Sequence, residues 1–200
     1  MIKIEALKFY PGAYAGLSGK TALATLQCVG RTDCPGSVDG HVCDEAVRLL
    51  EKEPFLRMWE QELPGFLLVE PCCDSPAGRW LAALTVAFQR WARDPVGEGR
   101  VVSSSGLSIE LALPWEREAV LRSALQFAIR YLHFWSQPHR EPSPKESPEK
   151  EFSEWLQKVH GGGLSPNTLR FAMAARLRGI PSAVSSATDT LRIGWGSSAL

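Results

Sequence analysis

The sequence has no excess of positive charge, because its 22 Lys and Arg residues are balanced by 22 Asp and Glu residues. Proteins that bind the phosphate backbone of nucleic acids normally present a basic surface. The charge balance therefore argues against a nucleic-acid partner. The chain also has no apolar run of the roughly 18 residues that a transmembrane helix requires, so no membrane partner is expected.

A secretion signal is also missing from the sequence. Residues 1–5 do not show the basic-then-apolar order of a signal peptide. The chain contains 5 cysteines, an odd number that does not suit a framework of paired disulfides. Both observations favour a cytoplasmic protein whose thiols are reduced.

The cysteines offer only one candidate for a metal site. Cys34, His41 and Cys43 are close in sequence, but no Cys-x-x-Cys pair occurs. The adjacent Cys72 and Cys73 are poorly placed to share one tetrahedral ion. Ordinary buried or loop thiols are the favoured interpretation, and no metal site is predicted.

The sequence does contain two patterns typical of β-hairpins. Residues 2–10 alternate between apolar and polar, a Pro-Gly turn follows, and residues 21–29 again favour a strand. Residues 101–102 and 107–113 predict a second hairpin around a Ser-Ser-Ser-Gly turn. In this hairpin Leu107 and the apolar residues at every second position after it are expected to face the core.

Helices are predicted between and after the hairpins. Periodic apolar positions and end signals place them at residues 44–53, from Asp74 or Ser75 to the Asp94-Pro95 pair, and at residues 115–135, 152–159 and 166–178. The predicted fold class is α+β, with a small antiparallel sheet of two hairpins covered by helices.

The sequence predicts three segments along the chain. Residues 1–136 contain the hairpins and the longest helix. Residues 137–152 form a linker, because four prolines among charged residues cannot bury a core. Residues 153–200 contain a helix, a Gly-Ile-Pro turn and two short strands, which predict an incomplete α/β unit. Its strand edges would pack on the first domain, drive self-association into a homo-oligomer, or stay exposed.

Four stretches follow one another in an order known from one family. They are the hairpin at 2–29, the helix at 78–91, the Pro-Val-Gly-Glu-Gly-Arg run at 95–100, and a last stretch with Leu-Ser-Pro-Asn-Thr at 164–168, Arg-Gly-Ile-Pro at 178–181 and Ile-Gly-Trp-Gly at 193–196. In this order the chain resembles the N-terminal module of cyanophycin-synthetase-like ATP-grasp ligases, followed by the start of the ATP-grasp region.

The resemblance implies a non-catalytic module of an ATP-dependent ligase that joins a carboxylate to an amine. Such a module positions the peptide or polymer substrate, and the remaining ATP-grasp module, in the same or another chain, is the implied partner. ATP and magnesium are expected in the complete ligase, but no cofactor is expected in this chain. The only glycine run, Gly161 to Gly163, is not followed by the Gly-Lys-Ser/Thr of a phosphate loop.

The chain departs from the family in its central helix. Some members have a His-x-x-Glu-His run there, a spacing that can hold a metal ion. Arg79, Ala82 and Ala83 stand at the matching positions of this sequence. Since these side chains cannot ligate zinc, no hydrolytic role is expected for this helix.

No catalytic residue is predicted, but peptide-contacting residues are. Polar side chains on loops near the junction with residues 153–200 are the candidates, namely Arg100, Ser103, Ser104 and Ser105. One alternative is a stand-alone binding or scaffold protein that retains the fold. Another is a hydrolase that uses these serines or Cys72 with His41, His133, His139 or His160, but no nucleophile-elbow signature supports it.

Overall fold

The computed structural model describes residues 2–17, 19–28, 76–105, 107–135, 148–180, 182–185 and 188–194. The helix predicted at 44–53 lies outside the described residues. The same holds for His41, His139 and all cysteines other than Cys28, whose side chain is buried.

The described residues contain a four-stranded antiparallel sheet. Its strands are β1 (Ile2–Tyr10), β2 (Thr21–Cys28), β3 (Arg100–Ser105) and β4 (Ser108–Pro114), in the order β1-β2-β4-β3. Each predicted hairpin is present, and the two hairpins are joined by pairing between β2 and β4. The predicted α+β class and the small antiparallel sheet of two hairpins are thus confirmed.

Two helices, α1 (Pro76–Trp91) and α2 (Glu118–Trp135), cover one face of this sheet. The strands supply every second residue to the core between sheet and helices, as the alternation predicts. Six buried apolar residues of the two central strands face this core, namely Ala22, Ala24, Leu26, Ile109, Leu111 and Leu113. Leu107 does not join them, because it lies in the turn before β4 and is 52% exposed.

A third helix, α3 (Pro148–His160), begins earlier than the sequence predicts. Residues 148–152 were assigned to the linker, but proline is tolerated in the first turn of a helix, and Glu149 and Glu151 suit its positive end. Phe152 and Trp155 of this helix are buried in the same hydrophobic cluster as α1 and α2.

An aromatic group forms the centre of this cluster. The ring of Phe88 on α1 lies 4.8 Å from that of Phe127 on α2 and 5.6 Å from that of Phe152. Trp155 stacks on Phe127 at 6.0 Å between ring centroids. Helix α3 is therefore packed into the core of the sheet and helices.

The last described elements form a small unit beside this body. Helix α4 (Pro166–Leu177) is followed by an antiparallel hairpin of β5 (Ser182–Ser185) and β6 (Thr190–Ile193), which packs on α4. The side chain of Ser165 accepts a hydrogen bond from the backbone N–H of Thr168 and caps α4. We call residues 161–194 the C-terminal unit.

None of the helices in the described ranges is both long enough and apolar enough to cross a membrane.

Candidate functional site

The face of the sheet opposite α1 and α2, here called the outer face, is made of rows of paired residues. Pairing in register places the members of a row side by side across the four strands. Three successive rows are Lys8–Leu23–Ala112–Arg100, Ala6–Thr25–Glu110–Ser103 and Lys3–Gln27–Ser108–Ser105. The last two rows are mainly polar, and they are partly or fully exposed.

Strand β3 distributes the candidate serines over both faces of the sheet. Ser103 and Ser105 pair with Glu110 and Ser108 and lie on the outer face, whereas Ser104 pairs with the buried Ile109 and lies on the other. All three serines are exposed. The structure therefore brings two of the three predicted serines together.

Arg100 shares the outer face with these two serines, one row away from Ser103. Its guanidinium lies against the backbone of Gly16 in the loop between β1 and β2. A Cβ atom on Gly16 would stand 2.6 Å from Nη1 of Arg100. Arg100 is nonetheless exposed.

The hydroxyl of Ser103 donates a hydrogen bond of 2.8 Å to the carboxylate of Glu110 on β4. This contact joins the edge strand to the polar centre of the outer face. The partner is a carboxylate and not a histidine, so the serine–histidine pair of a hydrolase is not formed at this position.

Strand β3 lies at the edge of the sheet. It pairs with β4 on one side, and on the other side it pairs with no strand of the described residues. A bulge leaves Val102 without a partner on β4, and this residue is 44% exposed. An edge strand presents backbone donors and acceptors that can pair with another extended chain.

A second polar cluster, which the sequence does not predict, is buried where the C-terminal unit meets the rest of the protein. Arg117, just before α2, is its central residue. Its Nε donates to Oδ1 of Asp94 at 2.6 Å, its Nη2 to the carbonyl of Ala92 at 2.6 Å, and its Nη1 to the carbonyl of Val159 at 3.1 Å. One guanidinium thus joins the end of α1 to the end of α3.

Glu116 connects this junction to the first hairpin and to α4. Its carboxylate lies 2.7 Å from Nζ of Lys20 and 3.4 Å from Nη2 of Arg176. Since the Glu116 side chain is only 11% exposed, both contacts are partly shielded from solvent. Arg176 thus provides a charged contact between α4 and the sheet-containing body.

Burial changes the ionisation of these groups. Burial raises the pKa of Asp94 to about 6, although the charge and hydrogen bond of Arg117 act in the opposite direction. Burial also lowers the pKa of Arg176, against the attraction of Glu116 and Asp94. Four buried side-chain atoms of the described residues have no hydrogen-bond partner among them, namely Oδ2 of Asp94, Oε1 of Gln89, Nε of Arg176 and, in the aromatic cluster, Nε1 of Trp155.

The sequence signal for this junction is weak because its members come from distant segments. The Asp94-Pro95 pair was interpreted as the end of α1. The helix ends slightly earlier, at Trp91, and the N–H of Asp94 donates to the carbonyl of Gln89 in its last turn. Glu116 and Arg117 resemble ordinary charged residues at a helix start. Only their burial in the fold distinguishes them from a solvated surface.

The candidate metal ligands of the sequence can be compared with the structure only in part. Among the described residues, no group of three or more His, Cys, Asp or Glu side chains is arranged to hold a metal ion. Cys34, His41 and Cys43 lie outside those residues. Arg79, Ala82 and Ala83 lie on α1, where Ala82 is buried in the core.

Comparison with models of known protein families finds no family that matches the chain. A search among curated proteins likewise finds none that is significantly similar to it.

Proposed function

We propose that this chain is a non-catalytic binding module that positions a peptide or polymer substrate for an ATP-dependent carboxylate–amine ligase. The ligase part of this proposal rests on the resemblance of the sequence to the cyanophycin-synthetase-like N-terminal module. The binding part rests on one structural observation, the exposed polar edge strand β3.

An extended peptide fits this edge as an additional strand. Its backbone would pair with the open side of β3, which supplies affinity without regard to sequence. Side chains of the peptide on the outer face would then meet Arg100, Ser103 and Ser105. A guanidinium binds carboxylates through two parallel hydrogen bonds, so Arg100 favours peptides with an acidic residue or a free carboxyl terminus nearby.

In the complete ligase, ATP and magnesium belong to the remaining ATP-grasp module, which is the proposed partner in the same or another chain. The proposed location is the cytoplasm. The alternative function, a stand-alone binding or scaffold protein, uses the same edge strand but has no ligase partner. The genomic context distinguishes the two, because only the ligase proposal requires ATP-grasp sequence in the same reading frame or a neighbouring gene.

Binding is tested with a displayed library of short random peptides against the full chain. Enriched peptides are expected to bind the Val102→Pro variant at least about tenfold more weakly, because proline removes a backbone donor at the edge. Val102 has no partner on β4, so the β3–β4 pairs are retained. Ala119→Pro is the control, since Ala119 is exposed in the first turn of α2, where proline is tolerated.

A second variant tests whether the guanidinium of Arg100 binds a carboxylate of the peptide through two hydrogen bonds. Arg100→Lys keeps the charge but cannot form two parallel hydrogen bonds to one carboxylate. It is therefore expected to lower the affinity for peptides with a carboxylate more than the affinity for peptides without one. The binding proposal is wrong if no peptide is enriched, or if Val102→Pro binds enriched peptides as tightly as the wild type. With an ATP-grasp partner present, ligase activity can be followed by the release of ADP. In this assay the Val102→Pro variant should show a higher KM for the peptide than the wild type.

A further inference from the structure

Asp94 lies at the centre of the junction that attaches the C-terminal unit. Its carboxylate orients Arg117, whose other nitrogens bind the carbonyls of Ala92 and Val159. Beside this contact, the N–H of Leu164 donates to the carbonyl of Arg93 at 3.4 Å. The chain that leads from α3 into α4 is therefore held by groups that surround Asp94.

The Asp94 carboxylate is an unfavourable place for a negative charge. Its side chain is only 2% exposed, and Oδ2 has no hydrogen-bond partner among the described residues. Only Oδ1 is paired, with Nε of Arg117. A proton on Oδ2 would remove the buried charge and leave the Oδ1 contact in place, so the neutral acid suits the closed junction better than the carboxylate.

Other charged groups surround Asp94 from each neighbouring element. Glu116 adds negative charge, and Arg176 of α4 is attracted by Asp94. The guanidinium of Arg90 on α1 donates hydrogen bonds to the carbonyls of Val96 and Gly97. Arg93 and His160 lie at the rim, where their charges interact. Of these groups, Arg117 is the main one that favours ionised Asp94, and burial opposes it.

We propose that protonation of Asp94 strengthens the docking of the C-terminal unit, so that the junction is tightened by acid. A conformation that binds a proton more tightly becomes more populated as the pH falls. In the closed junction the pKa of Asp94 is about 6, above the ordinary value of 3.8. Exposed to water, Asp94 would titrate near that ordinary value. The equilibrium constant for docking therefore rises as the pH falls from about 7 towards 4, by at most roughly a hundredfold.

His160 acts in the opposite direction. Burial and the nearby charges of Arg93 and Arg117 lower its pKa, so protonation of His160 opposes docking. His160 is only partly buried, whereas Asp94 is almost fully buried, so the effect of Asp94 is the larger. Replacing His160 should therefore increase the response of the junction to acid.

The test is amide hydrogen exchange of the full chain by NMR between pH 7.5 and pH 5, corrected for intrinsic exchange rates. The N–H of Leu164 reports the junction because it bonds across it to Arg93, and the N–H of Leu169 reports α4 because it bonds to Ser165. The opening constant at Leu164 is expected to fall towards pH 5 by up to about tenfold. The opening constant at Leu169 should change less.

Three variants separate the contributions. Asp94→Asn should abolish the fall of the opening constant at Leu164 towards pH 5 and leave only the opposite effect of His160. His160→Gln should steepen the pH dependence, and Glu154→Gln, at an exposed position on α3, should leave it as in the wild type. The proposal is overturned if opening of the wild type is constant or increases towards pH 5. It is equally overturned if Asp94→Asn retains the wild-type response. Should Asp94→Asn not fold, the wild type and His160→Gln decide the question.

Discussion

The carbonyl oxygen of Ala92 lies 2.5 Å from the position that a Cβ atom of Gly163 would occupy. Real Cβ atoms do not approach a backbone oxygen so closely, so only glycine permits this contact between the end of α1 and the loop before α4. The glycine run at 161–163, which does not match a phosphate loop, thus has a packing role at Gly163.

Gly163→Ala is therefore expected to lower the free energy of unfolding by about 1–3 kcal/mol, because the methyl group forces the loop away from Ala92. Gly161→Ala is the matched control, since no atom lies within 4 Å of its added Cβ. Urea denaturation of both variants checks the difference. Equal midpoints for the two variants would mean that the loop does not pack against α1.

Phe88→Ala is expected to destabilise the protein by about 3–5 kcal/mol, because Phe88 is fully buried among the aromatic side chains of α2 and α3. Phe171→Ala is the control. Phe171 is 63% exposed on α4, so its removal should change the free energy of unfolding by no more than about 0.5 kcal/mol. Thermal unfolding followed by circular dichroism distinguishes the two variants, and similar losses would contradict the described core.

Truncation tests whether α3 belongs to the first domain. A chain that ends after residue 136 loses Phe152 and Trp155 and exposes the rings of Phe88 and Phe127. It should unfold at a lower urea concentration than a chain that ends after residue 160. If both chains unfold at the same midpoint, the boundary that the sequence predicts at residue 136 is correct, and α3 adds no stability.

Asp94 should also give overall stability a characteristic dependence on pH. Its pKa is about 6 in the fold and near 3.8 when unfolded, so the folded state binds more protons between these values. The penalty for the buried charge is complete above pH 7 and is relieved as the pH falls towards 4. The free energy of unfolding of the wild type, relative to Asp94→Asn, should therefore rise by about 1–1.5 kcal/mol between pH 7 and pH 5.

Other carboxylates change stability in both proteins, and the comparison with Asp94→Asn removes their contribution. Denaturant titrations of both proteins at pH 7, 6 and 5 measure the difference. A difference that is constant over this range, or that falls towards pH 5, would show that Arg117 outweighs burial at Asp94.

The strands were predictable because each has one buried face, which imposes a period of two on the sequence. Residues 2–10 match β1, and residues 107–113 nearly match β4. The long helix was also predicted, but the extent of its buried face was not. Phe127 and Tyr131 are buried on α2 as well, since this helix packs against both α1 and α3 and so has a wider buried face.

The junction was not predictable, for a physical reason. Arg117 bonds to residues 94 and 159, and Glu116 bonds to residues 20 and 176. No periodic pattern connects positions so far apart, and charged residues between helices usually lie in solvent. The residues of the candidate site at β3 were predicted, but their arrangement was not. The strand register decides which face of the sheet each side chain lies on, and it places Ser104 on the face opposite to the other two serines. The peptide ligand and the ligase partner remain predictions.

The pairing of β2 with β4 has a consequence for how the chain folds during synthesis. These two strands form the middle of the sheet, yet residues 21–28 must wait for residues 108–114 before they can pair. A contact between such distant segments closes a long loop, and long loops form slowly. The first hairpin therefore leaves the ribosome with an open strand edge, and the time before β4 arrives is when the nascent chain is most prone to aggregation.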